Sequence, residues 1–435
     1  MILHSTGRKA QDVSLTQAVA NGLAPDGGLY MPDALPTLPK AFFNNIDQMS
    51  LREIGYVVMT TLIGDIVAPA QLKRIVDDAL SFDMPLKQIN ADIYSIELFH
   101  GPTHSFKDVG ARFMASLLPL VDPAKGMKRD IIVATSGDSG GALANSFARA
   151  ASTRVVVVFP RKKLSSEQIS QFVGHRNVLP VEVDGTFDIC QNLVKQILLE
   201  QPADPRRKIT SGNSINLLRQ LPSIIYYFYA YAAMMEQAPA AEVVMAVPCG
   251  NLGNLSAALM AKQMGLPVKR FIAANNANDA FVEYLRTGGL RPRRTMMTVA
   301  RAMDVGNPSN LARIIDLYGN SLERLRRDVQ GVALSDHEIA DAMRQVTAQA
   351  AIVLDPQSAA AYAAAKANIA NGEKAIVMSG AHPSKFRNVV ENVLGIKVSA
   401  GPSQLQQTKG RTATFPTPII KIPPTIAALR RALEQ

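Results

Sequence analysis

From Asp92 onward, short β-branched runs alternate with alanine-rich helical stretches, and this alternation constrains the fold more than any other feature of the chain. Strands separated by helices cannot be joined by tight hairpins, so they are expected to pair in parallel, with helices covering the sheet faces. Four strand-to-loop transitions carry the pattern. Ile131-Ile132-Val133-Ala134 runs into Thr135-Ser136-Gly137-Asp138-Ser139-Gly140-Gly141 and then into a helical stretch from Ala142 to Ala151. Val155 to Phe159 is wholly apolar and stops at Pro160. Val243 to Val247 leads through Pro248 into Cys249-Gly250-Asn251-Leu252-Gly253-Asn254, with a helix expected from about Leu255 to Met264. Ala375-Ile376-Val377-Met378 leads into Ser379-Gly380-Ala381-His382-Pro383. In open α/β sheets, ligands bind at the carboxyl ends of the strands. Three of these loops are rich in Gly, Ser and Asn, which makes them the places to look for chemistry.

The rest of the chain narrows the field. With 435 residues, 47% hydrophobic and 19% charged, it has the composition of a soluble globular protein of two or three domains. The opening residues MILHSTGRKA lack the apolar core of a signal peptide, and the apolar stretch Ile224 to Met235 is too short to span a bilayer. A cytoplasmic location without membrane association is therefore expected. Two cysteines, Cys190 and Cys249, cannot build a disulfide framework, and no Cys/His cluster has zinc spacing, so no metal is expected. A net charge of +10 suits anionic partners. The basic residues are scattered and nucleic-acid motifs are lacking, so small anionic molecules are expected rather than nucleic acid. Nucleotide-binding glycine patterns and a nucleophile elbow are also missing.

The strongest local signal is His100-Gly101-Pro102-Thr103-His104-Ser105-Phe106-Lys107-Asp108. A lysine between Phe106 and the helical run Val109 to Leu118 is placed to be partly buried. Burial disfavours the ammonium and lowers its pKa, as a Schiff-base lysine requires. The spacing alone fits a water-facing lysine at a helix start better, since lysines near helix starts are common. Thr135 to Gly141 and Gly250 to Asn254 each open a helix, where backbone N–H groups and the helix dipole attract anions. Either loop alone could be only a tight turn. Two in one sheet, beside such a lysine, fit a phosphorylated cofactor and a carboxylate-bearing substrate.

Taken in order, these segments resemble threonine synthase, of the fold type II (β-family) pyridoxal-phosphate enzymes. STGRK at 5–9 and GLAPDGGLYMP at 22–32 look like the N-terminal domain of that family. GPTHSFKDVGARF looks like its cofactor-lysine motif, ATSGDSGGA at 134–142 its substrate loop, and CGNLGN at 249–254 its cofactor-phosphate loop. SGNSIN at 211–216, AMDVGNPSN at 302–310 and GAHPSKF at 380–386 also match. The resemblance implies an α/β fold with parallel-sheet domains and an additional N-terminal domain. The expected divisions are an N-terminal domain at residues 1–90, a catalytic region at 91–400 and an extended tail at 401–435. Within the catalytic region two subdomains interleave, the smaller at about 110–220.

The resemblance further implies pyridoxal 5'-phosphate as cofactor, held by Lys107 as a Schiff base, with Lys107 also acting as acid and base. It implies that the N–H groups of Gly250, Asn251, Leu252, Gly253 and Asn254 hold the cofactor phosphate. Ser136, Asp138 and Ser139 would grip the substrate carboxylate and face the cofactor ring. The implied reaction takes O-phospho-L-homoserine and water to L-threonine and phosphate, in a monomer or homodimer. The leaving phosphate needs a second anion site, for which Arg112, Lys162, Asn216 and Arg219 are the candidates. The chain departs from the family pattern at Gly380, where a Thr usually meets the ring nitrogen, so Ser379 or a water must substitute, or the contact is missing. Ser139 stands for Thr, Ser223 for Gln, and Asp355-Pro356-Gln357-Ser358 for a His-Thr pattern. A phospho-lyase giving a 2-oxo acid and an inactive anion-binding protein are the competing readings.

Overall fold

The computed structural model describes residues 1–121, 127–148, 150, 152–200, 207–399 and 417–435. Three sheets organise them. The first is a small antiparallel sheet of β1 (Ile2–Ser5), β2 (Val13–Ser14) and β3 (Tyr30–Pro32), in the order β2-β1-β3. The second takes β4 (Leu86–Gln88) and β5 (Ile93–Glu97). The chain then leaves it for β6 (Lys128–Ala134), β7 (Thr153–Pro160), β8 (Val178–Val183) and β9 (Arg207–Ser211), which belong to the third. It returns to the second with β10 (Glu242–Pro248), β11 (Arg270–Asn275), β12 (Val329–Ala333) and β13 (Glu373–Ser379). The second sheet has the order β12-β11-β10-β13-β5-β4 and is parallel except for the β4–β5 edge pair. The third, wholly parallel, has the order β14-β8-β7-β6-β9, where β14 is Ile420–Ile422.

All four strand runs seen in the sequence are central or inner strands of these sheets. Ile131 to Ala134, Val155 to Phe159, Val243 to Val247 and Ala375 to Met378 are buried on both faces, which is why they read as continuous apolar runs rather than alternating ones. The helices that follow begin close to where the alternation places them, at Asp138–Ser146 and Gly253–Gln263. The apolar stretch after Ile224 is the helix Ile225–Gln237, buried along most of its length. No helix among the described residues is long and apolar enough to cross a membrane.

The N-terminal motifs lock onto one another and then onto the third sheet. The Asp26 carboxylate accepts hydrogen bonds from Ser5 Oγ (2.6 Å), Lys9 N (3.0 Å) and Gly28 N (3.0 Å), so STGRK and PDGG form one knot. Val19 O accepts from Thr210 Oγ1 (2.9 Å) and Asn216 Nδ2 (3.0 Å), which ties the helix Leu15–Asn21 to the end of β9. Residues 401–416 of the expected tail lie outside the described residues. Beyond them, β14 extends the third sheet and the helix Ile426–Leu433 packs against the helix Phe187–Leu199.

Candidate active site

The carboxyl ends of β6, β10 and β13 converge with the start of the helix Lys107–Val121 on one cavity. Lys107 opens that helix. The residue is half-buried on the cavity wall, and its Nζ lies 4.2 Å from the centroid of the Phe106 ring. Burial pushes its pKa down to about 8, helped by the nearby Arg219 charge and partly opposed by Asp138. The lysine that sequence spacing left ambiguous therefore faces a cavity, not solvent. Tyr226 Oη donates to Phe106 O and fixes the peptide that carries the lysine. The neutral amine fraction should rise about tenfold per pH unit up to the pKa and then level off. We therefore expect the rate at which cofactor-free protein takes up pyridoxal phosphate to climb between pH 6 and about 8, where Lys107 titrates, and to flatten above it. A stopped-flow absorbance series would check this, and a rate independent of pH would contradict it.

The loop after β10 turns through Leu252, whose φ of 57° lies in the left-handed region. It enters the helix Gly253–Gln263, whose first-turn N–H groups have no intrahelical acceptor. Side chains hold the loop from behind. Asn251 Oδ1 accepts from Ser309 N (2.6 Å) and its Nδ2 donates to Gln191 Oε1 (3.0 Å). Asn254 Oδ1 accepts from Tyr227 Oη (2.7 Å), and Gln220 Nε2 donates to Gly253 O (2.5 Å). A Cβ on Gly250 would come within 2.9 Å of Met303 Cα, so only glycine lets the loop lie this close to the 302–310 segment. Both polar atoms of the Asn251 side chain and the Oδ1 of Asn254 are thus occupied, which leaves mainly backbone for the loop to offer a ligand.

The loop after β6 supplies Ser136, Asp138 and Ser139 to the cavity wall. Asn213 clamps the strand end by accepting from Ala134 N (2.9 Å) and donating to Ala134 O (2.7 Å). Asp138 is buried and paired. Its Oδ1 lies 2.9 Å from Lys385 Nζ, and its Oδ2 accepts from Ser105 Oγ at 3.3 Å. Lys385, in the GAHPSKF segment, also donates to Thr103 O (2.7 Å) and Gln171 Oε1 (3.0 Å). The GAHPSKF motif is visible in the sequence, but nothing in residue order assigns Lys385 a partner. Replacing it by Met should strand the Asp138 carboxylate and cost about 3 kcal/mol or more of folding stability. Denaturant unfolding would measure that loss, and a change within error would mean the pair contributes nothing.

Of the four candidates for a second anion site, Arg219 alone lines the cavity. It is buried beside Gly110, burial holds its pKa down at about 10, and its Nε has no hydrogen-bond partner. Among the described residues no carboxylate is paired with it. The other three are corrections. Arg112 sits on another face of the Lys107 helix and donates to Asp78 Oδ1 (2.9 Å), Asp78 O (2.7 Å) and Ser81 Oγ (3.2 Å) at the surface. Lys162 is exposed in the turn beyond β7, with a φ of 58°, and does not line the cavity. Asn216 is consumed as a helix cap: its Oδ1 accepts from Leu218 N (3.0 Å) while its Nδ2 donates to Val19 O.

Ser379 is also a correction. Met378 and Gly380 line the cavity, and the intervening Ser379 points the other way, with its Oγ 2.6 Å from Ser95 Oγ on β5. A Cβ on Gly380 would come within 2.8 Å of the Phe106 ring, so the space a threonine needs is filled by that ring. Both cysteines are buried, and burial pushes their thiols well up, away from reactivity.

Residues 3–80 match the family model described as the threonine synthase N terminus, and residues 81–380 match the model of pyridoxal-phosphate dependent enzymes. The threonine synthase of Escherichia coli is 35% identical over 434 residues, spanning 100% of this chain and 99% of that protein. The chain belongs to the threonine synthase family. The threonine synthase of Serratia marcescens is 37% identical, with 91% of each chain covered. The crystal structure of Escherichia coli threonine synthase superposes with a TM-score of 0.92, at 34% identity, covering 100% of this chain and 99% of that one. Threonine synthase from Brucella melitensis, solved with pyridoxal phosphate bound, gives a TM-score of 0.86 at 28% identity, covering 99% and 98%. The fold is accordingly that of fold type II pyridoxal-phosphate enzymes, with the extra N-terminal domain of the threonine synthases.

The cavity fits that cofactor. It holds a lysine with a lowered pKa for the carbonyl, a helix N-terminus with free N–H groups for the phosphate, and a glycine cradle that a Cβ would obstruct.

Proposed function

We propose that this chain converts O-phospho-L-homoserine and water to L-threonine and phosphate, with Lys107 as the cofactor lysine and proton carrier. The observation that carries the substrate assignment is Arg219. Its buried, unpaired guanidinium beside Lys107 is a second anion site, separate from the helix N-terminus at Gly253. A substrate with one phosphate, bound next to a cofactor with another, requires two such sites.

Each group has a distinct task. The N–H groups of residues 250–254 hold the cofactor phosphate. Ser136 and Ser139, at the start of the helix Asp138–Ser146, bind the substrate carboxylate. Arg219 orients the substrate phosphate and stabilises the charge it carries away. Bound pyridoxal phosphate supplies an electron sink for the charge left at Cα. Lys107 removes the Cα proton, and with its pKa lowered to about 8 it gives and takes protons near neutral pH. A proton is then lost from Cβ and phosphate leaves Cγ. Hydroxide from water bonds to Cβ, and protons return to Cγ and Cα, giving the methyl and the amino-acid centre of threonine. Asp138, braced by Lys385 and Ser105, keeps a negative charge near Lys107 that favours its protonated form when the proton is held.

A monomer or a homodimer in a cytoplasmic setting belongs with this reading. The test is to incubate the holoenzyme with O-phospho-L-homoserine and separate the products. Threonine and phosphate in equal amounts are expected. Phosphate with 2-oxobutyrate and ammonia would instead support a phospho-lyase on the same scaffold.

A further inference from the structure

Gln357 stands second in the helix Pro356–Asn368, which packs against β10 and β13 at the base of the cavity. Its side chain lines the cavity, is only 7% exposed, and has no hydrogen-bond partner for either Oε1 or Nε2. Leaving both atoms of a buried amide unmatched costs free energy, so such an atom pair is normally met by a ligand or water. Four other polar side chains of the cavity are committed elsewhere. The Asp355 carboxylate caps the helix, accepting from Gln357 N (2.9 Å), Ser358 N (3.3 Å) and Ser358 Oγ. Asn213 is clamped on Ala134, Gln220 on Gly253, and Asp138 on Lys385. Arg219 is a cation and suits an anion.

The pyridine nitrogen of the cofactor is one group in this family's site still lacking a partner, because Gly380 has no side chain and Ser379 faces Ser95. It is an uncharged acceptor unless protonated, and a primary amide is an uncharged donor. On the reading of this cavity as the cofactor site, we propose that the Gln357 side-chain amide donates a hydrogen bond to the ring nitrogen of pyridoxal phosphate. The bond would leave that nitrogen unprotonated and moderate the electron sink, since an amide does not give up its proton.

The test uses full-length holoenzyme loaded with pyridoxal phosphate carrying nitrogen-15 in the ring, for the native protein, Gln357→Leu and Gln357→Glu. Nuclear magnetic resonance reads the nitrogen, and equilibrium dialysis reads cofactor affinity. The native nitrogen should resonate as an unprotonated, hydrogen-bonded pyridine. Gln357→Leu should shift it towards a free pyridine and weaken cofactor binding by about tenfold, as loss of one buried hydrogen bond does. Gln357→Glu should move it towards the protonated form. A protonated nitrogen in the native protein, or a Gln357→Leu variant with native shift and affinity, would overturn the proposal. Borohydride reduction of the same samples separates this from the reading beneath it. A reduced adduct on Lys107 keeps the cofactor assignment whatever the nitrogen reports, and its absence removes that assignment.

Discussion

Lys107→Ala should leave a folded protein that forms threonine about 10⁴-fold more slowly or not at all, because one amine is asked both to attach the cofactor and to move the Cα proton. Stability should hold or rise. The folded state depresses the Lys107 pKa from 10.5 to about 8, so at pH 7 the cofactor-free protein carries a desolvated ammonium it would sooner lose. Its removal relieves that penalty and leaves no stranded partner, since the nearby Asp138 keeps its pairing with Lys385. Thermal unfolding and a progress curve with O-phospho-L-homoserine would measure both effects. A variant that turns over at a tenth of the native rate, or that fails to fold, would contradict this account of the lysine.

Arg219→Leu carries the second large effect. If this guanidinium binds the substrate phosphate and stabilises its departure, kcat/KM should fall about 10²- to 10³-fold, the range seen when a preorganised charge is taken from a developing anion. Cofactor affinity should stay near the native value, because the helix N-terminus at Gly253 is untouched. Arg219→Lys should recover part of the loss, keeping the charge but losing the planar fork. The pattern is specific. A variant that loses cofactor binding as much as turnover would move Arg219 to the cofactor phosphate, and one with native kcat/KM would remove it from the site.

Much of this site was legible from residue order. The strand-to-loop transitions located three of the cavity walls, because β-branched runs buried on both faces are conspicuous and the loops that follow them are rich in Gly, Ser and Asn. What failed was side-chain direction. Arg112 lies five residues after Lys107, about 140° around the helix, so it could not share the lysine's face. Ser379 follows the inward-facing Met378 and so faces away by the two-residue period of a strand. Asn216 immediately precedes a helix, and its capping role was visible in principle from that position. Helix and strand periodicity place the first two, and the helix-cap position places the third. Neither places the Lys385–Asp138 pair, because the partners are far apart in sequence and meet only when the two parallel sheets are assembled. The free amide of Gln357 is likewise a property of the packed cavity: only the folded structure shows that both of its polar atoms are buried without a partner.

The central claim is that phosphate leaves Cγ with its oxygens intact and that water adds at Cβ. Turnover of O-phospho-L-homoserine in oxygen-18 water, read by mass spectrometry, tests it most directly. Threonine should carry one oxygen-18 in its hydroxyl, and the released phosphate should carry none. Unlabelled homoserine with labelled phosphate, or 2-oxobutyrate in place of threonine, would contradict the account.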